Sequence, residues 1–213
     1  PMPLTVVTGY ASLAGPREHN EDYLGVVAAT GSELDTKGML LAVADGVSGG
    51  SGAREAAEYT VRGLLADYYA TPDTWSVPLA LDRVLNANNR WLIAQGAAHR
   101  ELAGMATTLS ALVLRGSRYI TAHVGDSRIY LLREGRLARL TADHVWDRPD
   151  MRHVLSRAIG LDAHLVVDYA EDHLLAGDVF LLVTDGVWEP LGETGIRELL
   201  LRQRDPQAAA QAL

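Results

Sequence analysis

Apolar residues occur along the chain either in short continuous runs or in helically spaced stripes, and the two patterns predict different elements. The runs at 40–44 and 179–184 are short, apolar and bounded by turn residues, as in buried strands. Helical spacing extends over 54–69 and 77–97 and predicts two amphipathic helices. Ser51 precedes the first helix and is expected to cap it.

After residue 104 the pattern changes to alternating or continuous apolar stretches separated by turn residues, which is typical of β-structure. Four strands predicted there, expected to form an antiparallel meander, are 106–114, 119–124, 128–133 and 137–140. The remaining predictions are strands over 4–11, 23–29 and 165–170, a polar loop over 31–38, and helices over 153–159, 194–204 and 206–213. Strands follow strands and helices follow helices, so the fold class expected is α+β.

Composition narrows the range of functions. The 213 residues suit one domain, and a hydrophobic content of 48% is sufficient for a packed core. The chain has no cysteine, which excludes disulfides, zinc–thiolate sites and a thiol nucleophile, and favours a cytoplasmic setting. A formal net charge of −8 argues against nucleic-acid binding, and no apolar run is long enough to predict a membrane span.

Three buried-type strands share one pattern, because each is followed directly by an aspartate. The segments LLAVADG, TAHVGD and FLLVTDG end in Asp45, Asp126 and Asp185, while Glu21 and Asp22 precede another predicted strand. Each acid alone could simply form a turn. If these strand ends meet at one rim, however, the crowded carboxylates need compensating charge. Oxygen ligands alone favour hard divalent cations, Mg²⁺ or Mn²⁺, over zinc.

Arg17 lies four residues before Glu21, next to the predicted acidic rim. Its planar guanidinium could bind a phosphate group through two hydrogen bonds. The alternative is an ordinary surface arginine.

Seven motifs, taken together and in order, resemble the metal-dependent protein serine/threonine phosphatases of type 2C in their bacterial form. They are REHNED at 17–22, DGVSGG at 45–50, MATTL at 105–109, GDSRIY at 125–130, LTADH at 140–144, SRAIG at 156–160 and TDG at 184–186. The resemblance implies an αββα four-layer sandwich, with two antiparallel sheets flanked by helices. It also implies hydrolysis of phosphoserine and phosphothreonine in phosphoproteins by a water activated between two divalent cations. A Ser/Thr kinase, or a fused kinase domain, is the further partner expected.

The resemblance also implies a role for each acid. Asp45 would bridge two Mg²⁺ or Mn²⁺ ions, and the carbonyl of Gly46 would bind one of them. Glu21 would bind the second metal, Asp185 the first, and Asp126 together with Asp185 a more labile third. Two further residues are expected to be catalytic, with Asp22 holding a metal-bound water and Arg17 receiving the substrate phosphate.

The sequence departs from the family pattern in three places. Family members usually carry one more metal-binding Asp, followed by Asn, near the C-terminus, and no such pair occurs before Leu213. We therefore expect residues 1–213 to be a single catalytic domain that lacks its C-terminal strand or strands. No histidine follows Asp45-Gly46, so the leaving oxygen is expected to take its proton from a water. The segment 143–156 is short, which predicts looser substrate selection.

Two other functions remain open from the sequence. Residues 46–50 also fit G-x-S-x-G, which would make Ser48 the nucleophile of a serine hydrolase. Such an enzyme needs a later acid and then a histidine, for which His144, His153, His164 and His173 are available. The second possibility is a catalytically impaired module of the same fold that binds phosphoproteins.

Overall fold

Two antiparallel β-sheets packed face to face form the centre of the molecule, and helices cover their outer faces. The computed structural model describes residues 4–47, 52–151 and 153–213. One sheet has five strands in the order β1-β2-β3-β4-β7, and the other has three in the order β6-β5-β8. The strands are β1 Asp22–Val27, β2 Met39–Asp45, β3 Leu109–Arg115, β4 Arg118–Val124, β5 Arg128–Arg133, β6 Arg136–Arg139, β7 Asp168–His173 and β8 Val179–Val183.

Long helices form the two outer layers. The helices are α1 Ser32–Lys37, α2 Ala53–Ala70, α3 Val77–Ala98, α4 Asp185–Arg202 and α5 Pro206–Ala212, with a 3₁₀ turn at Arg100–Leu102. Helices α2 and α3 cover the five-stranded sheet, and α4 covers the three-stranded sheet, so the α+β, αββα architecture predicted from the resemblance is confirmed. Among the described residues, no helix combines the length and the apolar character needed to cross a membrane.

Three apolar clusters hold the layers together. Buried side chains of β2, β3 and β4 pack against α2 and α3, including Leu40, Leu64 and Leu85. A second cluster lies between the sheets, where Leu112 of β3 meets Leu131 of β5. A third joins the three-stranded sheet to α4 and α5. Because both faces of β3 are covered, this strand is a continuous apolar run rather than an alternating one.

The prediction of a single meander is wrong, and the difference decides where Asp126 lies. Strands β3 and β4 pair in the five-stranded sheet, whereas β5 and β6 pair in the other. The segment Gly125-Asp126-Ser127 is therefore a crossover between sheets instead of a hairpin turn. The strand pattern alone does not distinguish the two, because turn residues between apolar runs are common to both.

Three local predictions are also wrong, each because a tertiary contact replaces the local preference. Residues 31–38 contain α1 instead of a loop. Residues 153–159 form no helix, because Ile159 pairs through its backbone with Thr107 at the edge of the β2–β3 region. Residues 4–11 form no strand. Instead, the Tyr10 amide donates to the side-chain oxygen of Gln207, and the side-chain nitrogen of Gln207 donates to the Tyr10 carbonyl. Helix α2 is capped at Gly52, and the predicted cap Ser51 lies outside the described residues.

Lys37 attaches the helical segment before β2 to the end of α2. Its side chain is buried at the end of α1, and its ammonium group donates hydrogen bonds to the carbonyls of Thr71 and Pro72. Thr71 is the C-cap of α2, so a cation neutralises the negative end of that helix. Asp73 lies 3.6 Å from the ammonium and completes the charge balance.

We predict that Lys37→Met destabilises the protein. The substitution keeps the apolar stem but removes the charged donor from the carbonyls of Thr71 and Pro72, at a cost of about 2 kcal/mol. For a chain of this size the Tm should fall by about 4–8 °C. Arg62→Met is the matched control, because Arg62 is exposed and its ion pair is with Glu58 on its own helix. Equal Tm values for the two variants would contradict this account of Lys37.

Candidate active site

Asp22 and Asp45 face each other across two neighbouring strands. Asp45 ends β2 and Asp22 begins β1, and the antiparallel register makes the two residues direct partners. Their side chains are linked by a hydrogen bond. Antiparallel pairing therefore brings together two acids that are 23 positions apart in the sequence.

Thr107 and Thr108 fix the backbone on which Asp45 is mounted. The amide of Thr108 and the hydroxyl of Thr107 both donate to the carbonyl of Asp45, each at 2.9 Å. The hydroxyl of Thr108 in turn accepts from the Asp45 amide at 3.0 Å. All backbone polar groups of Asp45 are thus bonded, which leaves its carboxylate as the group available to a ligand.

Gly46 follows Asp45 at a position where the backbone of Ala53 leaves no room for a side chain. A Cβ atom at this position would lie 2.2 Å from the carbonyl oxygen of Ala53, so a side chain does not fit. The Gly46 amide donates to the carbonyl of Glu21 at 3.1 Å. This bond places Glu21 beside the Asp22–Asp45 pair, as the predicted ligand set requires.

Asp185 comes to the same rim from the other sheet. It is the first residue of α4, directly after β8, and Thr184 is the helix N-cap. The hydroxyl of Thr184 donates to Oδ2 of Asp22 at 2.7 Å, which ties the start of α4 to the start of β1. Asp185 is close enough to raise the pKa values of Asp22 and Asp45 by charge repulsion.

Asp126 lies in the crossover between the sheets, and Trp188 holds it from α4. The Trp188 indole N–H donates to the carbonyl of Asp126 at 3.0 Å. The guanidinium of Arg128 lies over the Trp188 ring, 3.4 Å from its centroid, and forms two hydrogen bonds to Asp143. Trp188 therefore connects the helix that carries Asp185 to the loop that carries Asp126.

These acids are electrostatically strained. Burial, together with the charges of Asp22, Asp185 and Asp126, raises the pKa of Asp45 to about 9. Burial, together with the charges of Asp185 and Asp143, raises the pKa of Asp126 to about 6. The pKa of Asp22 is also raised, chiefly by burial, although hydrogen bonds and Arg17 partly oppose the shift. Ionising the whole group therefore requires added positive charge.

Arg17 lies in an exposed turn beside this group. It is near enough for its charge to lower the pKa of Asp22, yet its side chain remains accessible to a ligand. The turn is anchored by Asn20, whose side chain accepts from the Asp22 amide and donates to Ser12. Arg54 of α2 donates to the Asn20 carbonyl at 2.7 Å.

The donor set fits a hard divalent cation. It consists of carboxylate oxygens and the Gly46 carbonyl, which Mg²⁺ and Mn²⁺ prefer, and its mutual repulsion would be relieved by such ions. Within the described ranges, no group of three His, Asp or Glu side chains already converges as a complete ligand set.

The structure thus brings together most of the residues singled out in the sequence. Asp22, Asp45, Asp126 and Asp185 interact with one another, and Glu21 with Gly46 adjoins them through the backbone. Ser48 lies outside the described residues. The residues missed by sequence reasoning are the ones that contact these acids and their backbone, namely Thr184, Trp188, Thr107 and Thr108. Thr184 had a local signal, since it occupies the cap position before Asp185.

Comparison with known proteins shows which families and structures this chain is similar to. The chain matches the family model of protein phosphatase 2C over residues 16–202. It is 30% identical to the serine/threonine phosphatase stp of Listeria monocytogenes, over 88% of this chain and 80% of that protein. It is 33% identical to the phosphatase PstP of Mycobacterium tuberculosis, over 83% of this chain and 37% of that protein. A solved structure of the PstP catalytic domain with two manganese ions superposes with a TM-score of 0.75 at 28% identity, covering 97% and 86% of the two chains.

We predict that Asp45→Asn stabilises the metal-free protein and abolishes its stabilisation by metal. The amide keeps the shape of the side chain but removes the group with the largest unfavourable burial among these acids. The Tm without metal should rise by about 2 °C or more, whereas added Mn²⁺ should no longer raise it. Thermal unfolding with EDTA and with Mn²⁺ measures both effects.

Asp178→Asn serves as the matched control for that experiment. Asp178 is also buried, but Arg133 forms two hydrogen bonds to it and holds its pKa below the usual range against the effect of burial. This variant should be destabilised and should keep its response to Mn²⁺. A fall in the metal-free Tm of Asp45→Asn would show that the acids are not mutually repulsive.

Proposed function

Because the chain belongs to the protein phosphatase 2C family, we propose that it hydrolyses phosphoserine and phosphothreonine in phosphoproteins with Mg²⁺ or Mn²⁺. The observation that carries the proposal is the electrostatic interaction of the partly buried Asp22, Asp45, Asp126 and Asp185 at one rim between the sheets. Acids with raised pKa values that face a common space are typical of a metal-dependent hydrolytic site.

We keep for the metal ligands the roles that the family resemblance implies. Asp45 interacts with Asp22, Asp126 and Asp185 and would bridge two ions, with the Gly46 carbonyl and Glu21 as further ligands. Asp185 would complete the first site from α4. Asp126 and Asp185 would share a third, weaker ion, and the Trp188 indole connects the two segments that carry them.

The bound ions would supply the Lewis acidity that makes a water nucleophilic near neutral pH and would neutralise charge on the leaving oxygen. Asp22 accepts a hydrogen bond from the hydroxyl of Thr184 at Oδ2 and would hold the attacking water by its other oxygen. Arg17 is exposed beside the rim and would bind the phosphate oxygens of the incoming group. Transfer is direct to water, so no phosphorylated enzyme forms.

The substrate we propose is a phosphorylated segment of another protein. Arg17 lies on an open turn instead of a closed cavity, which suits a phosphate carried on an extended chain. The kinase that phosphorylates such substrates is the proposed functional partner, and the cysteine-free composition is consistent with a cytoplasmic reaction.

The serine hydrolase alternative is not favoured. It leaves the coupled acids without a role, and His144 is unavailable as its base because both ring nitrogens are engaged, by the Gly125 amide and by Asp168. The impaired binding module is likewise not favoured, since the relatives matched over most of this chain are named phosphatases.

We predict Mn²⁺-dependent turnover of p-nitrophenyl phosphate and of a phosphothreonine peptide. EDTA should reduce both rates to the uncatalysed background, and added Mn²⁺ or Mg²⁺ should restore them, because the acids alone supply no nucleophile. Arg17→Ala should raise KM for the peptide more than it lowers kcat. Phosphopeptide binding without turnover, at any Mn²⁺ concentration, would favour the impaired module instead.

Two aspartate variants separate the proposed metal sites. Asp45→Ala should lose Mn²⁺ uptake and activity together, since both principal ions depend on it. Asp126→Ala should retain two bound ions and lose only the weaker one, with turnover slowed by about 10-fold or more, equivalent to about 1.4 kcal/mol of barrier. Isothermal titration with Mn²⁺ measures the number of ions. Normal manganese uptake by Asp45→Ala would disprove the assignment of the bridging ligand.

A further inference from the structure

The loop that carries Asp126 depends on contacts from elsewhere in the chain for its shape. Gly125 has a φ of +107°, and a Cβ there would lie within 2.7 Å of the side chain of Thr108. Ser127 is fully buried, and its carbonyl accepts from Ser110 at 3.0 Å. Because the loop crosses between the sheets, the amide and carbonyl of Gly125 lie outside the hydrogen bonds that pair neighbouring strands.

His144 supplies the missing partners of Gly125 from both its backbone and its ring. The amide of His144 donates to the Gly125 carbonyl at 2.8 Å. The ring Nδ1 of His144 accepts from the Gly125 amide at 3.1 Å. His144 is buried, with 6% of its surface exposed, so water does not compete well for these bonds. One residue thus pairs with both backbone polar groups of Gly125, the residue before Asp126.

This contact requires one tautomer of the His144 ring. An imidazole nitrogen that accepts a hydrogen bond carries no proton, so the ring proton must be on Nε2. Nε2 lies 2.9 Å from Oδ2 of Asp168, which can accept that proton's hydrogen bond. The tautomer that Gly125 needs is therefore the one that Asp168 stabilises.

Arg157 secures Asp168 in this arrangement. Its Nη1 donates to Oδ1 of Asp168 at 2.9 Å, which leaves Oδ2 directed at His144. Nη1 also lies 3.3 Å from Nε2 of His144, a longer contact than the 2.9 Å from Nε2 to Oδ2, so Asp168 is the better partner of that nitrogen. Although burial alone would raise it, the hydrogen bonds from His144 and Arg157 hold the pKa of Asp168 below its usual range. An ionised acceptor thus faces Nε2. Two sequence motifs without a role in the proposed chemistry, at 140–144 and 156–160, meet at this point.

We propose that His144 is a positioning residue for the weaker metal site, with Asp168 and Arg157 setting its ring. By holding the Gly125 peptide, His144 orients the carboxylate of Asp126 toward Asp185. His144 touches neither the substrate nor the reacting atoms. The inference rests on the proposed function, because it assigns Asp126 and Asp185 to a metal ion.

The test compares four variants in Mn²⁺ titrations of the purified chain. His144→Leu removes the acceptor, whereas His144→Asn keeps an acceptor oxygen near the position of Nδ1. Asp168→Ala removes the group that fixes the His144 tautomer. Because the Asp168 side chain is half-exposed, this variant should fold even if His144→Leu does not. His99→Leu is the matched control, since His99 is half-exposed and distant in sequence at the end of α3.

We expect His144→Leu to weaken the weakest class of Mn²⁺ sites by about 10-fold or more, as is usual for residues that orient metal ligands. The tighter sites should be unchanged. His144→Asn should recover most of the lost affinity, and Asp168→Ala should lose less than His144→Leu. His99→Leu should behave as wild type. An unchanged weak-site affinity in both His144→Leu and Asp168→Ala would overturn the proposal.

Metal-free NMR provides a readout that is independent of activity. Long-range ¹H–¹⁵N spectra should show His144 protonated at Nε2 in the wild type and a mixture of tautomers in Asp168→Ala. The Gly125 amide should be protected from exchange in the wild type and exposed in His144→Leu. If the wild type binds no Mn²⁺ at all, the proposed function fails, whereas these spectra still decide whether His144 holds Gly125. Equal protection of Gly125 in both proteins, or a wild type with two ions and no weaker class, would overturn the inference.

Discussion

Mutual repulsion among partly buried carboxylates is the constraint on which the site depends. Asp45 alone is held near a pKa of about 9 by burial and by three neighbouring acids. Such an arrangement costs stability in the absence of a counter-charge, and the fold tolerates it because surrounding hydrogen bonds fix each backbone segment independently. The strain therefore has a functional explanation, since hard cations relieve it at the place where they would act.

The two sheets contribute different halves of this arrangement. The five-stranded sheet supplies Asp22 and Asp45 through an ordinary antiparallel register. The three-stranded sheet supplies Asp185 through the β8–α4 junction, and the crossover between sheets supplies Asp126. Packing of the two sheets through Leu112 and Leu131 therefore sets the distance between the halves. A metal site built in this way couples catalysis to the packing of the inter-sheet core.

Positioning residues form a shell around the acids. Thr107 and Thr108 hold Asp45, Thr184 holds Asp22, and Trp188 holds Asp126. Each uses a neutral donor or acceptor, so the shell adds no charge to a group that already carries too much. Several of these residues belong to motifs whose roles the sequence left unassigned, and the contacts now give those motifs a physical purpose.

The sequence by itself predicted a metal-dependent phosphatase and most of the helices and strands. Apolar runs ending in Asp45 and Asp185 predicted buried strands that deliver acids, and the helices at α2 and α3 followed from their apolar spacing. Only the tertiary structure decided that β4 and β5 lie in different sheets, that residues 31–38 form a helix capped onto α2 by Lys37, and that His144 pairs with Gly125. Apolar periodicity predicts which face of a helix or strand is buried, because the apolar side chains of that segment mark the face that turns away from water. It does not report which distant segment provides the partner, because that choice is made by the packing of the whole chain.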